Sequence, residues 1–345
     1  MGVRINEIDL VRFIVTLSVI GIHVSAGYVT SESIAAVWNS SMSFAVPIFI
    51  MLSGFGLMAS ESGKQTNYLI FQKKRLPKIV LPYVFWSVFY FLIYKFYHPT
   101  VESLGESFYR LLNGLIYGNT IYHVYFLVIL IFLYLLFPLI KLVVIKNPLI
   151  TFLSSIVLFF LSNIYSTLIF NKLGIFGFYQ PLNWLVYLVL GMITYQRYNL
   201  IRSIIYRKEI FVMLVWLIVF MFFYQQNNVA LLAQFNDLYL KAFYSIVSFF
   251  LLIGIGIQTY ELNSRFKSIV AYVCKYSFLL YLMHPIVLLH KDIISIEYPD
   301  LLIVLDGLKG MTILYIATIV LTLFLAILFS KIPFTWMFGG IKRKQ

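Results

Sequence analysis

DLVRFIVTLSVIGIH, residues 9–23, decides how this chain is read. The run is almost wholly apolar, yet Asp9 and Arg12 stand near one end and His23 at the other. Helical geometry puts Arg12 and His23 close to three full turns apart, so they share one face, about 16 Å apart along the axis. Ionisable groups inside a membrane span are costly and usually face a bundle interior or a wet cavity. Each has an ordinary explanation. Arg12 can be a snorkelling anchor paired with Asp9 three residues earlier. His23 can be a buried neutral imidazole bonded to a neighbouring helix. Sharing one face favours a common polar channel over either explanation alone.

The surroundings of this stretch have the same character. Of 345 residues, 61% are hydrophobic and only 11% charged, too apolar for a soluble protein of this length. The apolar residues fall in runs of about 20, the length of a bilayer-crossing helix. They do not alternate with polar residues as a transmembrane barrel requires. The fold class is therefore an all-α integral membrane protein, a bundle of about ten transmembrane helices. Spans are expected at 8–29, 37–60, 79–97, 123–145, 149–170, 183–200, 209–225, 238–260, 268–290 and 311–333. Connections are short except 61–78, 98–122 and 291–310, so 1–345 reads as a single membrane domain without a soluble part or an internal repeat. Pro82, Pro138, Pro148, Pro181, Pro285 and Pro333 fall where helices begin, kink or stop.

Net charge is +13. In a soluble protein this would suggest nucleic acid; between membrane spans it reads as topology-setting loop charge, and no nucleic-acid partner is expected. Of the 26 Lys and Arg residues, only Lys95, Arg110, Lys172, Lys241, Lys291 and Lys309 fall outside when the N-terminus is placed inside. Both termini are therefore expected in the cytoplasm. The histidines show the opposite bias: His23, His98, His123, His284 and His290 map to the outer half or outer ends of spans. The lone Cys274 excludes an internal disulfide and any Cys-rich metal site, and reads as an apolar residue near a helix start. Without a small-residue cleavage site after a short apolar core, the first span is expected to stay in place.

Four further stretches carry candidate chemistry. QKKRLPKIVLPY, 72–83, sets Lys73, Lys74, Arg75 and Lys78 before the third span. They can serve as a positive-inside stop with lipid-headgroup contacts. They can also clamp phosphates, Arg75 and Lys78 pointing the same way if the helix begins early, with Pro77 between them. PIFIMLSGF, 47–55, holds Ser53 and Gly54, which either allow close helix approach or line a ligand passage. YHVYFL, 122–127, and SFLLYLMHP, 277–285, place His123, Tyr281 and His284 near outer ends of spans, where aromatic belts are also at home. HExxH, Walker, CxxC and GxSxG patterns are absent from the sequence, and neither metal, ATP nor serine-hydrolase chemistry is supported.

Taken in order, these stretches resemble the membrane acyltransferase-3 family, whose members O-acylate surface polysaccharides, peptidoglycan and related glycans. Arg12 followed after ten residues by His23 is similar to the family's opening, and PIFIMLSGF to its second-span signature. KKRLPKIVLPY is similar to its cytoplasmic Arg-x-x-Arg before a Pro-aromatic pair, at Arg75, Lys78, Pro82 and Tyr83. YHVYFL, NWLVYLVLGMITY (183–195) and SFLLYLMHP match later signatures. Lys78 stands where the family has a second Arg, and Tyr125 where it has Trp. Lys binds phosphate as a point charge and not as a fork. The VPIFIMLSGF and LLYLMHPI stretches resemble stand-alone members, among them the O-acyltransferases of the staphylococcal intercellular adhesin and of enterobacterial antigen.

The resemblance implies an acyl-CoA-dependent acyltransferase in a bacterial cell membrane. The donor, acetyl-CoA or another short acyl-CoA, docks from the cytoplasm, and Arg75 and Lys78, with Lys74 and Arg12, hold its phosphates. The thioester runs past Ser53 and Gly54 to His23, which acts as general base or transient acyl carrier. Asp9 and Arg12 shape the inner end. His123, Tyr281 and His284 line the outer end, where a hydroxyl of an extracytoplasmic glycan arrives. Partners are the acyl-CoA, the glycan, membrane lipid, a second copy of the chain or a glycan synthase. The rival from another class is an exporter of a polysaccharide or lipid-linked sugar, and a third is a non-catalytic partner of a glycosyltransferase.

Overall fold

A computed structural model describes residues 5–97, 103–165, 181–225, 237–262, 264–297 and 304–340. Arg4, His98, Lys172, Lys342, Arg343 and Lys344, and the end of the fifth expected span, 166–170, lie outside the described residues. Every element among the described residues is a helix. In chain order they are α1 (Asn6–Ser25), α2 (Ser33–Met42), α3 (Ala45–Ser60), α4 (Tyr68–Arg75), α5 (Pro77–Tyr97), α6 (Leu104–Tyr117) and α7 (Tyr125–Lys146). There follow α8 (Pro148–Tyr165), α9 (Leu182–Gln196), α10 (Tyr198–Arg207), α11 (Glu209–Gln225), α12 (Asp237–Leu262), α13 (Ser264–Glu297), α14 (Gly307–Phe329) and a 3-10 turn, Thr335–Phe338.

By length and composition, 7 of the helical stretches among the described residues can cross a membrane: Asn6–Ser25, Ser33–Ser60, Tyr68–Tyr97, Tyr125–Lys146, Leu238–Thr259, Arg265–His290 and Gly307–Phe329. Shorter apolar helices cover Pro148–Ile164, Leu182–Gln196 and Glu209–Gln225, and each expected span overlaps one of these segments. The chain is an all-α, multi-pass membrane protein. The second expected span is broken at Ser43 and Phe44 into α2 and α3. Two stretches expected as connections hold helices of their own: α4 in 61–78 and α6 in 98–122.

The chain divides into two compact units. The first comprises Met1–Leu52 and Arg197–Lys331, the second Ser53–Gln196 and Ile332–Gln345. In the first, α1 packs against α2, α12, α13 and α14, and so Val11, Val15, Val19 and Ile20 are buried all round. Lipid offers no water to polar side chains, so the hydroxyls of α1 turn inward on its own backbone. Thr16, Ser18 and Ser25 donate to the carbonyls of Arg12, Ile14 and Gly21 at 2.8, 2.9 and 2.7 Å. The last turn of α1 is held by α2. Asn39 donates to the Ile22 carbonyl and to Ser25 Oγ, both at 2.9 Å. Gly21 brings the helices together, since a Cβ there would stand 2.3 Å from Met42 Sδ. At the other end of α1, Arg202 of α10 pairs with Glu7 at 3.1 Å.

In the second unit α7 packs against α4, α5, α8 and α9. Pro138 inside α7 has no N–H, so the carbonyl four residues earlier loses its helical partner. Gln72 of α4 supplies the replacement: its side-chain amide donates to the carbonyls of Tyr134 at 3.1 Å and Leu135 at 3.2 Å. Gly54 sets the contact of α3 with α9, because a Cβ there would lie 2.2 Å from the Leu188 carbonyl oxygen. The C-terminal turn closes on α5, where Trp86 Nε1 donates to the Phe338 carbonyl at 2.9 Å and Phe338 stacks on Phe85. Helix α6 starts with a capping box. Ser103 Oγ accepts from the Glu106 N–H, and the Glu106 carboxylate accepts from the Ser103 N–H at 2.8 Å.

Candidate active site: an imidazole pair and a basic cluster

The first unit brings two of the outer histidines together. His23, partly exposed in the last turn of α1, stacks on His284 of α13, with ring centroids 5.1 Å apart and planes 22° apart. His284 is fully buried. Tyr281, one turn earlier, lies 6.3 Å from His284 by ring centroids, and Phe49 packs edge-on against Tyr281 at 6.3 Å. The His284 ring is held by its own helix, its Nδ1 lying 2.7 Å from the Tyr281 carbonyl oxygen. The expected outer set of His123, Tyr281 and His284 is thus divided: Tyr281 and His284 accompany His23, while His123 belongs to the second unit.

Arg12 and Asp9 also belong to the first unit. Arg12 pairs with Asp9 at 3.6 Å, an i, i+3 contact, with about a third of its side chain still exposed. Asp9 is buried, and its carbonyl accepts from Cys274 Sγ at 3.0 Å. The Arg12–Asp9 ion pair considered from the sequence is therefore formed. Cys274 lies well inside α13, not near its start, because that helix begins at Ser264.

In the second unit the basic stretch surrounds a helix junction. Leu76 caps α4, and α5 starts at Pro77, whose missing N–H costs nothing in a first turn. Arg75 and Lys78 flank that one-residue junction, where Leu76 keeps a right-handed helical backbone (φ −57°, ψ −45°) and the helical stretch runs on from Tyr68 to Tyr97. Lys73, Lys74 and Arg75 fill the last turn of α4, where positive charge complements the helix dipole. Lys73, Lys74 and Lys78 are exposed; Arg75 is partly buried, donates to Ser60 Oγ at 2.6 Å and approaches the Glu61 carboxylate at 4.0 Å. Gly54, beside Ser53 in α3, makes the close helix approach that one of its two readings expects.

A residue counted only as inner-face charge in the sequence organises this region. Lys141 of α7 is buried, and its ammonium donates to the carbonyls of Glu61 at 2.7 Å and Lys64 at 2.9 Å and to Thr66 Oγ1 at 2.7 Å. Three donors meet three acceptors, and the connection between α3 and α4 is fixed by them. The available signal was a lysine well inside the end of a long apolar run. At the far end of α7, buried His123 is packed edge-on by Tyr90, 5.4 Å between centroids, and flanked by Tyr122.

The sequence matches the model of a family described as an acyltransferase domain over residues 5–331, nearly the whole chain. Neither a curated protein nor a solved structure matches it.

Proposed function

The chain belongs to the membrane acyltransferase-3 family and is a membrane acyltransferase, and from that premise we propose that it moves an acetyl or other short acyl group from cytosolic acyl-CoA to a hydroxyl of an extracytoplasmic glycan. His23 is the reacting imidazole. As general base it takes the acceptor's hydroxyl proton while the oxygen bonds to the acyl carbon. The carbon–sulfur bond breaks, and the departing thiolate then takes the proton from His23. As acyl carrier, His23 would attack the acyl carbon through a ring nitrogen as the carbon–sulfur bond breaks and CoA leaves as thiolate; the acceptor's hydroxyl oxygen would then take the acyl carbon from the imidazole, its proton going to the thiolate. Imidazole suits both routes because its ordinary pKa lies near neutrality.

The observation that carries this reading is His23 itself, partly exposed and stacked on a buried second imidazole at the opposite end of α1 from Arg12. On the donor side, the support is the basic cluster at the α4–α5 junction. Arg75, Lys78 and Lys74 hold the phosphates, displacing the Glu61 carboxylate as partner of Arg75. The reading assigns Ser53 and Gly54 to the donor side, Arg12 and Asp9 to the inner rim, and His123 and Tyr281 to the acceptor side, with His284 behind the His23 ring. The charge asymmetry of the loops supports cytoplasmic termini; the reading sets the protein in a bacterial cell membrane, with a glycan synthase supplying the acceptor.

The test is mass spectrometry of the producing cell's surface glycan. A His23→Ala variant is expected to abolish the acyl mass while the polymer is still exported; acyl content equal to wild type overturns the reading. Loss of the polymer itself would indicate an exporter. Photolabelling with an acyl-CoA probe that is indifferent to replacement of both Arg75 and Lys78 by Ala would remove the phosphate clamp.

A further inference from the structure

The backbone of α13 carries a defect beside the imidazole pair. In an α-helix the carbonyl of residue i accepts from the N–H of residue i+4. Pro285 has no N–H, so the Tyr281 carbonyl is left without its helical donor. His284 Nδ1 stands 2.7 Å from that oxygen. A carbonyl oxygen only accepts, so Nδ1 carries the hydrogen, and Nε2 carries the lone pair of the neutral ring. Pro285 therefore creates the acceptor that sets both the tautomer and the plane of the neighbouring His284. The ring so fixed is fully buried and offers its face to His23, with centroids 5.1 Å apart and planes 22° apart.

That geometry joins the two rings by their faces, not by their edges. A face-on neighbour is poorly placed to pass a proton but well placed to support charge. In both routes proposed above, His23 becomes cationic on the way, as imidazolium or as acylimidazolium, and returns to neutral when it gives up the proton or the acyl group. A cation within about 6 Å of the centre of a neutral aromatic face is stabilised, and more so away from water.

We propose that His284 is a positioning residue for His23, a neutral aromatic platform that fixes the His23 ring and stabilises its charged form, and that Pro285, by freeing the Tyr281 carbonyl, keeps this imidazole in its Nδ1–H form, a need that a phenyl ring does not have. The proposal rests on His23 being the reacting group. It assigns the His-Pro pair a role in catalysis at one remove, without contact between His284 and either substrate.

The experiment uses the full chain in proteoliposomes, with acetyl-CoA on the inner side and surface glycan from the producing cell, stripped of its esters by mild base, on the outer side. Two double variants are compared, His284→Phe with Pro285→Ala and His284→Ala with Pro285→Ala. In both, the N–H of residue 285 returns to the Tyr281 carbonyl, so they differ in the aromatic ring. The Phe variant is expected to keep kcat within about threefold of wild type. The Ala variant is expected to lose about thirtyfold in kcat, with KM for acetyl-CoA unchanged in both. Should the Ala variant fail to fold, His284→Asn replaces it, since its amide can still donate to the Tyr281 carbonyl while the platform is gone. Equal kcat with and without the ring overturns the proposal, as does a dead Phe variant, which would make the His284 nitrogen itself essential. His23→Ala is run alongside. If it remains active, the reading of His23 fails; if it is inactive while the ring-less variant is fully active, the platform alone fails.

Discussion

Lys141 donates to the backbone of Glu61 and Lys64 from 80 and 77 residues further along the chain, so the bend between α3 and α4 is set by one buried ammonium. Arg75 reads the same bend from the other side, through Ser60 and Glu61. Replacing Lys141 by Met leaves two carbonyls and one hydroxyl without their charged donor. Hydrogen bonds to charged groups contribute about 1.5–3 kcal/mol each, and relief from burying the ammonium offsets much of their combined loss. Lys141→Met is expected to lower stability by about 2–3 kcal/mol in detergent and to weaken acyl-CoA photolabelling. Unfolding curves and labelling yields equal to wild type would show that the bend holds without it.

Gly54 allows no side chain. The 2.2 Å to the Leu188 carbonyl is a backbone contact, and backbone cannot swing aside as a long side chain can. Gly54→Ala is therefore expected to cost about 1–3 kcal/mol, as overpacking does in tight interiors. Gly21 makes a useful contrast, since its nearest obstacle is the flexible end of Met42. Gly21→Ala should cost less than Gly54→Ala in the same unfolding assay, and the reverse order would refute this account of the two contacts.

Gln72 and Pro138 form a pair that a double-mutant cycle can resolve. Gln72→Leu strands the carbonyls of Tyr134 and Leu135, at a cost of about 1–3 kcal/mol. Adding Pro138→Ala gives the Tyr134 carbonyl a helical N–H again, so the double variant should recover part of the loss. Strict additivity of the two single effects would exclude the coupling.

The cap of α6 should respond to acid. Hydrogen bonds from the backbone and then the hydroxyl of Ser103 hold the Glu106 carboxyl below its ordinary range. Its contribution is thus complete above the ordinary carboxylate pKa of about 4.3 and is lost as pH falls through the lowered value of the folded protein. Amide protection in the first turn of α6 is expected to fall over that window, and Glu106→Gln to remove the dependence, because an amide oxygen accepts at any pH. Protection that stays flat on acidification in the native protein would contradict the cap.

Apolar run length made the membrane spans legible, because helix geometry and bilayer thickness leave few alternatives. The same signal hid what long runs conceal. The interruption at Ser43 and Phe44 has a single signal, Pro47, whose missing N–H takes the helical donor from the Ser43 carbonyl, and α6 is too short and too polar on one face to register as a span. The candidate residues His23 and His284 were visible as costly groups in apolar surroundings. Their stacking was not, because it depends on how α1 meets α13, more than 250 residues later, and spacing within a helix says nothing about partners between helices. The role of Lys141 was hidden for the same reason: its three acceptors are backbone and hydroxyl groups, which leave no charge pattern in the sequence.

The bond from Gln72 to the carbonyls before Pro138 has a mechanical side. One amide at the α4 end serves two carbonyls on α7, so the proline break in that helix and the seat of α4 are tied together. Lys73, Lys74 and Arg75 ride on that same short helix. Straightening α7 pulls on the lever that carries them, and any load on those three side chains is felt at the joint.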